Sequence, residues 1–180
     1  MPSWTAWRKV SRPRPTSSGK VKMTGPSVTI RAATPADVDD LVRLLALLFA
    51  METDFAVDEA RQRRGLAMLL ASSQAVVLVA EAEGRVVGMC SGQLTISTAE
   101  GGPALLVEDM VVHAQWRGGG IGRQLLEEIG SWAVRHGATR LQLLADRDNR
   151  AGLDFYQSIG WQTTNLICLR KRAEETSTPT

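Results

Sequence analysis

Apolar and polar positions alternate from Val28 onward, and their period changes along the chain. Val28-Thr29-Ile30 alternates as a short strand. Thr34-Pro35 then reads as a helix start, with proline at the first helical position and Asp37 and Asp39 placed where the helix dipole favours acids. Val38, Leu41, Val42, Leu45 and Leu48 recur at three and four, which predicts an amphipathic helix running to about Ala50. Met51 to Val57 breaks that period, and residues 58–72 predict a second helix carrying Arg61, Arg63 and Arg64. Ala75 to Ala82 is a β-branched run, Glu83-Gly84 a tight turn, and Arg85 to Ile96 a second run, together a hairpin. Another turn at Glu100-Gly101-Gly102-Pro103 leads to a strand from Ala104 to His113. Residues 118–136 predict a helix with Leu125, Leu126, Ile129, Trp132 and Ala133 on one face, stopped by Gly137. A strand at Leu141–Ala145, a helix at Asn149–Ser158 and a final strand at Trp161–Leu169 complete the order. The fold class is α/β, with a mixed sheet and no internal repeat.

Composition narrows the class. The 180 residues are 44% hydrophobic and 22% charged, ordinary globular values, and suffice for one domain with a sizeable core. No apolar run approaches the ~18–20 residues of a membrane span, so no membrane partner is expected. Two cysteines, Cys90 and Cys168, do not make a disulfide scaffold and fit a reducing, cytoplasmic setting. His113 and His136 have no metal-ligand spacing with each other or with the cysteines, so no metal is expected. The formal charge of +2 is unevenly spread: residues 1–22 hold six basic residues and no acid, leaving 15 basic against 19 acidic residues, a net −4, for the rest. A mildly acidic body argues against nucleic acid as partner and suits a cationic substrate. Residues 1–22, with Pro2, Pro13, Pro15 and a Ser-Ser-Gly stretch, are expected to be a disordered basic tail or an extension before a start at Met23. The domain is then expected over 23–172, with a short flexible tail over 173–180.

The most informative stretch runs from Val111 to Arg123. A strand ends, a short loop follows, and Gly118, Gly119, Gly120 and Gly122 open an amphipathic helix. Glycines let backbone amides line a concavity at the positive end of a helix dipole, which is a phosphate or pyrophosphate site. A P-loop would need Lys and Ser or Thr after its last glycine, and a dinucleotide fingerprint would need glycine where Arg123 stands. The pattern present is R-x-x-G-x-G, at Arg117, Gly120 and Gly122.

With that segment the chain resembles the GNAT superfamily of acetyl-CoA-dependent N-acetyltransferases, whose pyrophosphate loop is R-x-x-G-x-G. A second segment, Asn149-Arg150-Ala151-Gly152-Leu153-Asp154-Phe155-Tyr156-Gln157-Ser158-Ile159-Gly160-Trp161, is similar to the family's N-x-x-A/S-x-x-FY-x-x-x-GF, with Trp161 in place of Phe. The resemblance covers roughly residues 28–171. It implies a mixed, mostly antiparallel sheet flanked by helices, with a splayed strand pair at the acetyl-CoA site. Val107-Glu108-Asp109-Met110-Val111-Val112 further resembles the polyamine and thialysine acetyltransferase branch, although the Glu-Asp pair also occurs in glucosamine-phosphate acetyltransferases.

The resemblance implies acetyl-CoA as co-substrate, held by the backbone of Met110, Val111 and Val112, by Arg117, Gly118, Gly119, Gly120, Ile121, Gly122 and Arg123, and by Asn149, for which an N-cap is an equal reading. Strict alternation puts Glu108 and Asp109 on opposite faces; the family's bulge in this strand would change that and free amides for the acetyl carbonyl. Glu108 is the candidate general base. Tyr156, the chain's one tyrosine, falls where the family keeps a tyrosine facing the thiol. Glu52, Asp54 and Asp109 are candidate contacts for a cationic acceptor. The expected activity is acetylation of a small cationic amine. Alternatives are an amino sugar or a protein or peptide amine, or a non-catalytic acyl-CoA-binding module. A homodimer is expected from the family and from the apolar run Leu166-Ile167-Cys168-Leu169.

Overall fold

A computed structural model describes residues 27–51 and 57–171. The elements are β1 (Val28–Ala32), α1 (Val38–Phe49), α2 (Glu59–Ala71), β2 (Ala75–Ala82), β3 (Arg85–Ser97), β4 (Gly102–Val112), α3 (Ile121–Arg135), β5 (Leu141–Leu143) and α4 (Arg150–Ser158), with 3-10 turns at Pro35–Asp37 and Ala114–Trp116. The sheet runs in the order β1-β2-β3-β4-β5. Its first three pairings are antiparallel, and β4 pairs with β5 in parallel.

The apolar run of β2 is buried on both faces because the sheet is covered on both. Val76, Leu78, Ala80 and Ala82 pack with α3, while Val77 and Val79 pack with Leu41, Val42, Leu44 and Leu45 of α1 and Leu66 of α2. Close approach of α3 requires glycine in β3: a Cβ at Gly92 would stand 2.9 Å from Ile129 Cδ1 and 3.2 Å from both Leu105 methyls. The β2–β3 hairpin closes through Glu83 (φ 52°) and Gly84 (φ 70°), the left-handed pair that a two-residue turn requires.

The start of α1 is pinned electrostatically. Arg31 of β1 donates from Nη1 and Nη2 to the two oxygens of the buried Asp37 carboxylate, each at 2.8 Å, and from Nε to Glu81 of β2 at 2.8 Å. Asp37 also accepts from the backbone N and Oγ1 of Thr34. The guanidinium hydrogen bonds hold the Asp37 carboxyl well below the usual carboxylate range. That pairing fixes the corner between β1, β2 and α1.

Three expectations change in detail. The loop helix begins at Ile121 rather than at residue 118, because Gly118 and Gly120 take φ of 80° and 81°, outside helical space. The strand expected over Trp161–Leu169 is not formed. Gly160 (φ 95°) ends α4, and residues 162–171 run on exposed without a place in the sheet. A strand needs a neighbour to satisfy its backbone, and none of the described strands supplies one. The turn expected at Glu100–Pro103 lies at residues 98–101 instead, since Gly102 and Pro103 already belong to β4. The expected tails over 1–22 and 173–180, and Glu52 and Asp54, lie outside the described residues. Among the described residues no helix is long and apolar enough to cross a membrane.

Gln62 of α2 is buried, and neither its carboxamide nitrogen nor its oxygen has a hydrogen-bond partner among the described residues. Two unmet polar atoms cost about 1–3 kcal/mol each, so Gln62→Met, of similar volume, is expected to stabilise the fold. At roughly 2–4 °C per kcal/mol for a chain of this size, thermal unfolding should show a midpoint higher by at least about 4 °C. A lower midpoint would mean that the carboxamide is bonded in solution.

Candidate active site

The site grows from one irregularity in β4. Gly92 of β3 pairs with Val107, and Cys90 pairs with Met110, so the single residue Ser91 faces two residues, Glu108 and Asp109. The extra residue is a β-bulge. Its effect on the faces is visible in the packing: Val107 and Met110 both lie against the α3-side core, which strict alternation over three positions forbids. Glu108 and Asp109 occupy the interval between them.

The Ser91 hydroxyl locks the bulge. It accepts from the Asp109 backbone N at 3.1 Å and donates to Asp109 Oδ2 at 2.9 Å. The amide that the bulge removes from the ladder is thereby satisfied, and the carboxylate is oriented at the same time. Burial pushes the Asp109 carboxyl above its usual range; the Ser91 hydrogen bond opposes this, and the neighbouring Glu108 charge adds to it. Cys90, next to Ser91 in β3 and fully buried, has its thiol pushed up by burial first and by the Asp109 charge second. Glu108 is exposed and accepts from Gln93 Nε2 at 2.9 Å. Ser91 and Gln93 went unremarked in the sequence, because their partners lie 18 and 15 positions away and only the register brings them together.

Immediately before the bulge the sheet opens. β5 pairs with Leu105, Leu106 and Val107 and stops, so β4 continues from Glu108 to Val112 without a neighbour on that side among the described residues. The open edge leads into the glycine loop. Gly118 and Gly120 adopt left-handed φ, and a Cβ on either would meet nothing within 4 Å, so their backbone is freely approached from outside. Gly120 precedes Ile121 at the start of α3 with no side-chain cap, which leaves first-turn amides available to an anion. A depression of about 400 Å³ lined by Gln115, Trp116, Arg117 and Gly119 adjoins the loop.

Gly122 has a different task. A Cβ there would stand 3.0 Å from Met110 Cε and 3.1 Å from Phe155 Cζ, so this glycine lets α3, β4 and α4 meet. Through that contact Tyr156 is tied to the loop: its ring lies 5.3 Å from Phe155 and 5.9 Å from Trp161, half-buried against the α3-side core. Ile121 and Val111 are buried, so their side chains serve the core and only their backbones face the site. Val112 is half-buried on the α3 side. Arg117 donates from Nε to the Val112 carbonyl at 2.8 Å, bracing the loop against β4, and Arg123 is exposed beyond it. Asn149 accepts from Gly152 N at 2.9 Å, so of its two readings the N-cap of α4 is the one observed. His113 caps the turn at Ala114–Trp116.

An open strand edge followed by a glycine loop at a helix start, with Tyr156 packed through Phe155 against that helix, suits a long molecule with a phosphate at one end. The residues present fit CoA: the loop amides suit its pyrophosphate, and the unpaired main chain of β4 suits the amide groups of its arm.

Comparison with known proteins agrees. The family model for the acetyltransferase (GNAT) domain matches residues 73–163. An aminoglycoside N(6')-acetyltransferase type 1 of Stenotrophomonas maltophilia is 32% identical over 116 residues, spanning 63% of this chain and 72% of that protein. Among solved structures, a protein described as a transcriptional regulator from Bacillus halodurans C-125 has 25% identity and a TM-score of 0.71, covering 82% of this chain and 100% of its own. An aminoglycoside N-acetyltransferase in complex with CoA shares the fold at a TM-score of 0.71 and 18% identity, over 83% of this chain and 97% of that one. The chain belongs to the GNAT acetyltransferase family and is an enzyme that moves the acetyl group of acetyl-CoA to an amine.

Proposed function

We propose that the acceptor is a primary amine on an amino sugar of the aminoglycoside kind, and that the bulge carboxylates receive it. The observation that carries this reading is the pair Glu108 and Asp109 set side by side at the mouth of the open β4 edge. Two acids there favour a polycationic amine. The S. maltophilia relative, an aminoglycoside N(6')-acetyltransferase by name, supports the sugar over the polyamine that the Glu-Asp segment alone suggested. A cytoplasmic location accords with the two free cysteines.

In this reading Asp109, rather than Glu108, takes the proton. A lysine-like amine titrates near ~10.4, so only about one in ~10³ is neutral at pH 7 and a base at the site matters. Asp109 is the half-buried carboxylate that Ser91 orients, and its proton affinity is raised. Glu108 is exposed and suits a second ammonium of the acceptor. The amine nitrogen attacks the thioester carbonyl carbon and its proton passes to Asp109. Backbone amides between Met110 and Val112 stabilise the oxyanion, and the carbon–sulfur bond then breaks. Tyr156 hydrogen-bonds the departing sulfur. Full proton transfer from a phenol near ~10 to a thiolate near ~8.5 is uphill by about 2 kcal/mol, so the hydrogen bond is the role assigned. Arg117, Gly118, Gly119, Gly120, Gly122 and Arg123 hold the pyrophosphate.

The acceptor is tested by acetyl-CoA-dependent thiol release against aminoglycosides, simple amino sugars, polyamines, lysine analogues and peptides, with products identified by mass. Acetylated aminoglycoside or amino sugar is expected. A polyamine or peptide product with none on sugars would overturn the acceptor while keeping the enzyme class.

The roles are tested by two variants. Asp109→Asn is expected to lower kcat by about 10²–10⁴-fold. Tyr156→Phe is expected to lower kcat by more than it raises the KM for acetyl-CoA. An unchanged kcat in either variant would remove that residue from the mechanism.

A further inference from the structure

One face of the sheet changes character along its strands. On the side of α1 and α2, Val77, Val79, Met89 and Val111 are packed beneath the helices. Farther along the same face, Gln93 of β3, Leu106 of β4 and Gln142 of β5 stand side by side in register. Their neighbours fix that face: Leu94, Leu105, Val107, Leu141 and Leu143 all pack in the α3-side core, so the residues between them point the other way. Leu106 packs in neither core cluster, Gln93 is half-buried and Gln142 is exposed.

The bulge carboxylates share this face. Ser91 and Gln93 follow Met89 at every second position of β3, and they hydrogen-bond Asp109 and Glu108 at 2.9 Å each. Leu106 lies two residues before Glu108, about 7 Å along the strand. On the other side of the row Arg140 is held by Glu100 at 3.2 Å and by the Ser97 hydroxyl at 3.3 Å. The row is therefore an uncharged strip between an acidic pair and a cation that is already paired.

We propose that Gln93, Leu106 and Gln142 are the platform for the second ring of a multi-ring amino sugar, the ring joined to the one whose amine reacts at Asp109. The proposal rests on the amino-sugar reading of the acceptor and names the residues that favour two rings over one. A carboxamide both donates and accepts, so it matches neighbouring hydroxyl groups. Gln93 spends one N–H on Glu108, which leaves its carbonyl oxygen and its other N–H for the ring. The two glutamines stand two strand spacings apart, about 10 Å, with Leu106 midway as an apolar seat for the C–H face of the ring. The strip also sorts the acceptor: its ammonium groups go to Glu108 and Asp109, and its hydroxyls to the glutamines. A linear polyamine offers the row neither hydroxyls nor a ring face.

The test is steady-state kinetics of the full chain at saturating acetyl-CoA, with 6-amino-6-deoxyglucose as the one-ring acceptor and neamine as the two-ring acceptor. The readout is the preference for neamine, taken as the ratio of the two kcat/KM values. The parent is expected to prefer neamine. In Gln142→Ala that preference should fall by about 2–10-fold, the loss of one hydrogen bond, through the KM for neamine rather than through kcat. It should fall further when Leu106→Ala is added. Gln142 is exposed, so an unchanged thermal midpoint is expected for the single variant and shows that the fold is kept. A preference that is unchanged in Gln142→Ala, or lost through kcat alone, would overturn the platform while leaving the amino-sugar acceptor in place. A parent that acetylates neither sugar would overturn the acceptor reading and the platform with it.

Discussion

The hydrogen bonds between the Ser91 hydroxyl and Asp109 fix the one place where β4 departs from its ladder. An extra residue in a central strand would ordinarily leave a main-chain N–H unmet inside the protein. Ser91 meets it, and the same hydroxyl fixes a carboxylate. Several consequences follow from that single adjustment. Val107 and Met110 fall on the same face, pairing with β5 ends at Val107, and Glu108 and Asp109 stand together where the sheet opens. The cost is a carboxyl held in a half-buried place, which shows in its raised proton affinity. The folded protein binds that proton more tightly than the unfolded chain would. Ionising Asp109 therefore costs stability as pH rises through its folded value, and supplies a base only above it.

The core and the site share residues at the other end of β4. Gly122 lets Met110, Phe155 and α3 come into contact, and that contact seats α4 with its tyrosine. Gly118 and Gly120 are needed for their backbone conformation, and Gly122 for space. Arg117 braces the loop through the Val112 carbonyl, tying the glycine loop to the strand end. The anion-binding surface is thus built on a rigid sheet and helix rather than on a free loop.

Most of the fold was legible because its elements rest on hydrophobic period. The strands and helices among the described residues all lie where alternation or a three-to-four recurrence put them. The strand over Trp161–Leu169 was misplaced for a physical reason: an apolar run reports a wish for burial but not the presence of a neighbour, and the single chain offers none among the described residues. The glycine loop was legible as an anion site because four glycines at a helix start have few other uses. The bulge was not legible from alternation, which placed Glu108 and Asp109 apart; it came only through the resemblance. Ser91 and Gln93 were invisible for the same reason, since nothing local marks a serine or a glutamine as the partner of an acid 18 or 15 residues away. Asn149 was ambiguous between ligand and cap, and the hydrogen bond to Gly152 shows the cap.

The measurement that bears most directly on the bulge is the titration of the Asp109 carboxyl followed by carbon NMR, in the parent protein and in Ser91→Ala. The account predicts a midpoint above the ~3.9 of an ordinary aspartate, and a further upward move in Ser91→Ala, because the lost hydroxyl hydrogen bond favours the ionised form. A midpoint at or below the ordinary value, or one indifferent to Ser91, would contradict the half-buried, locked carboxylate on which the site is built.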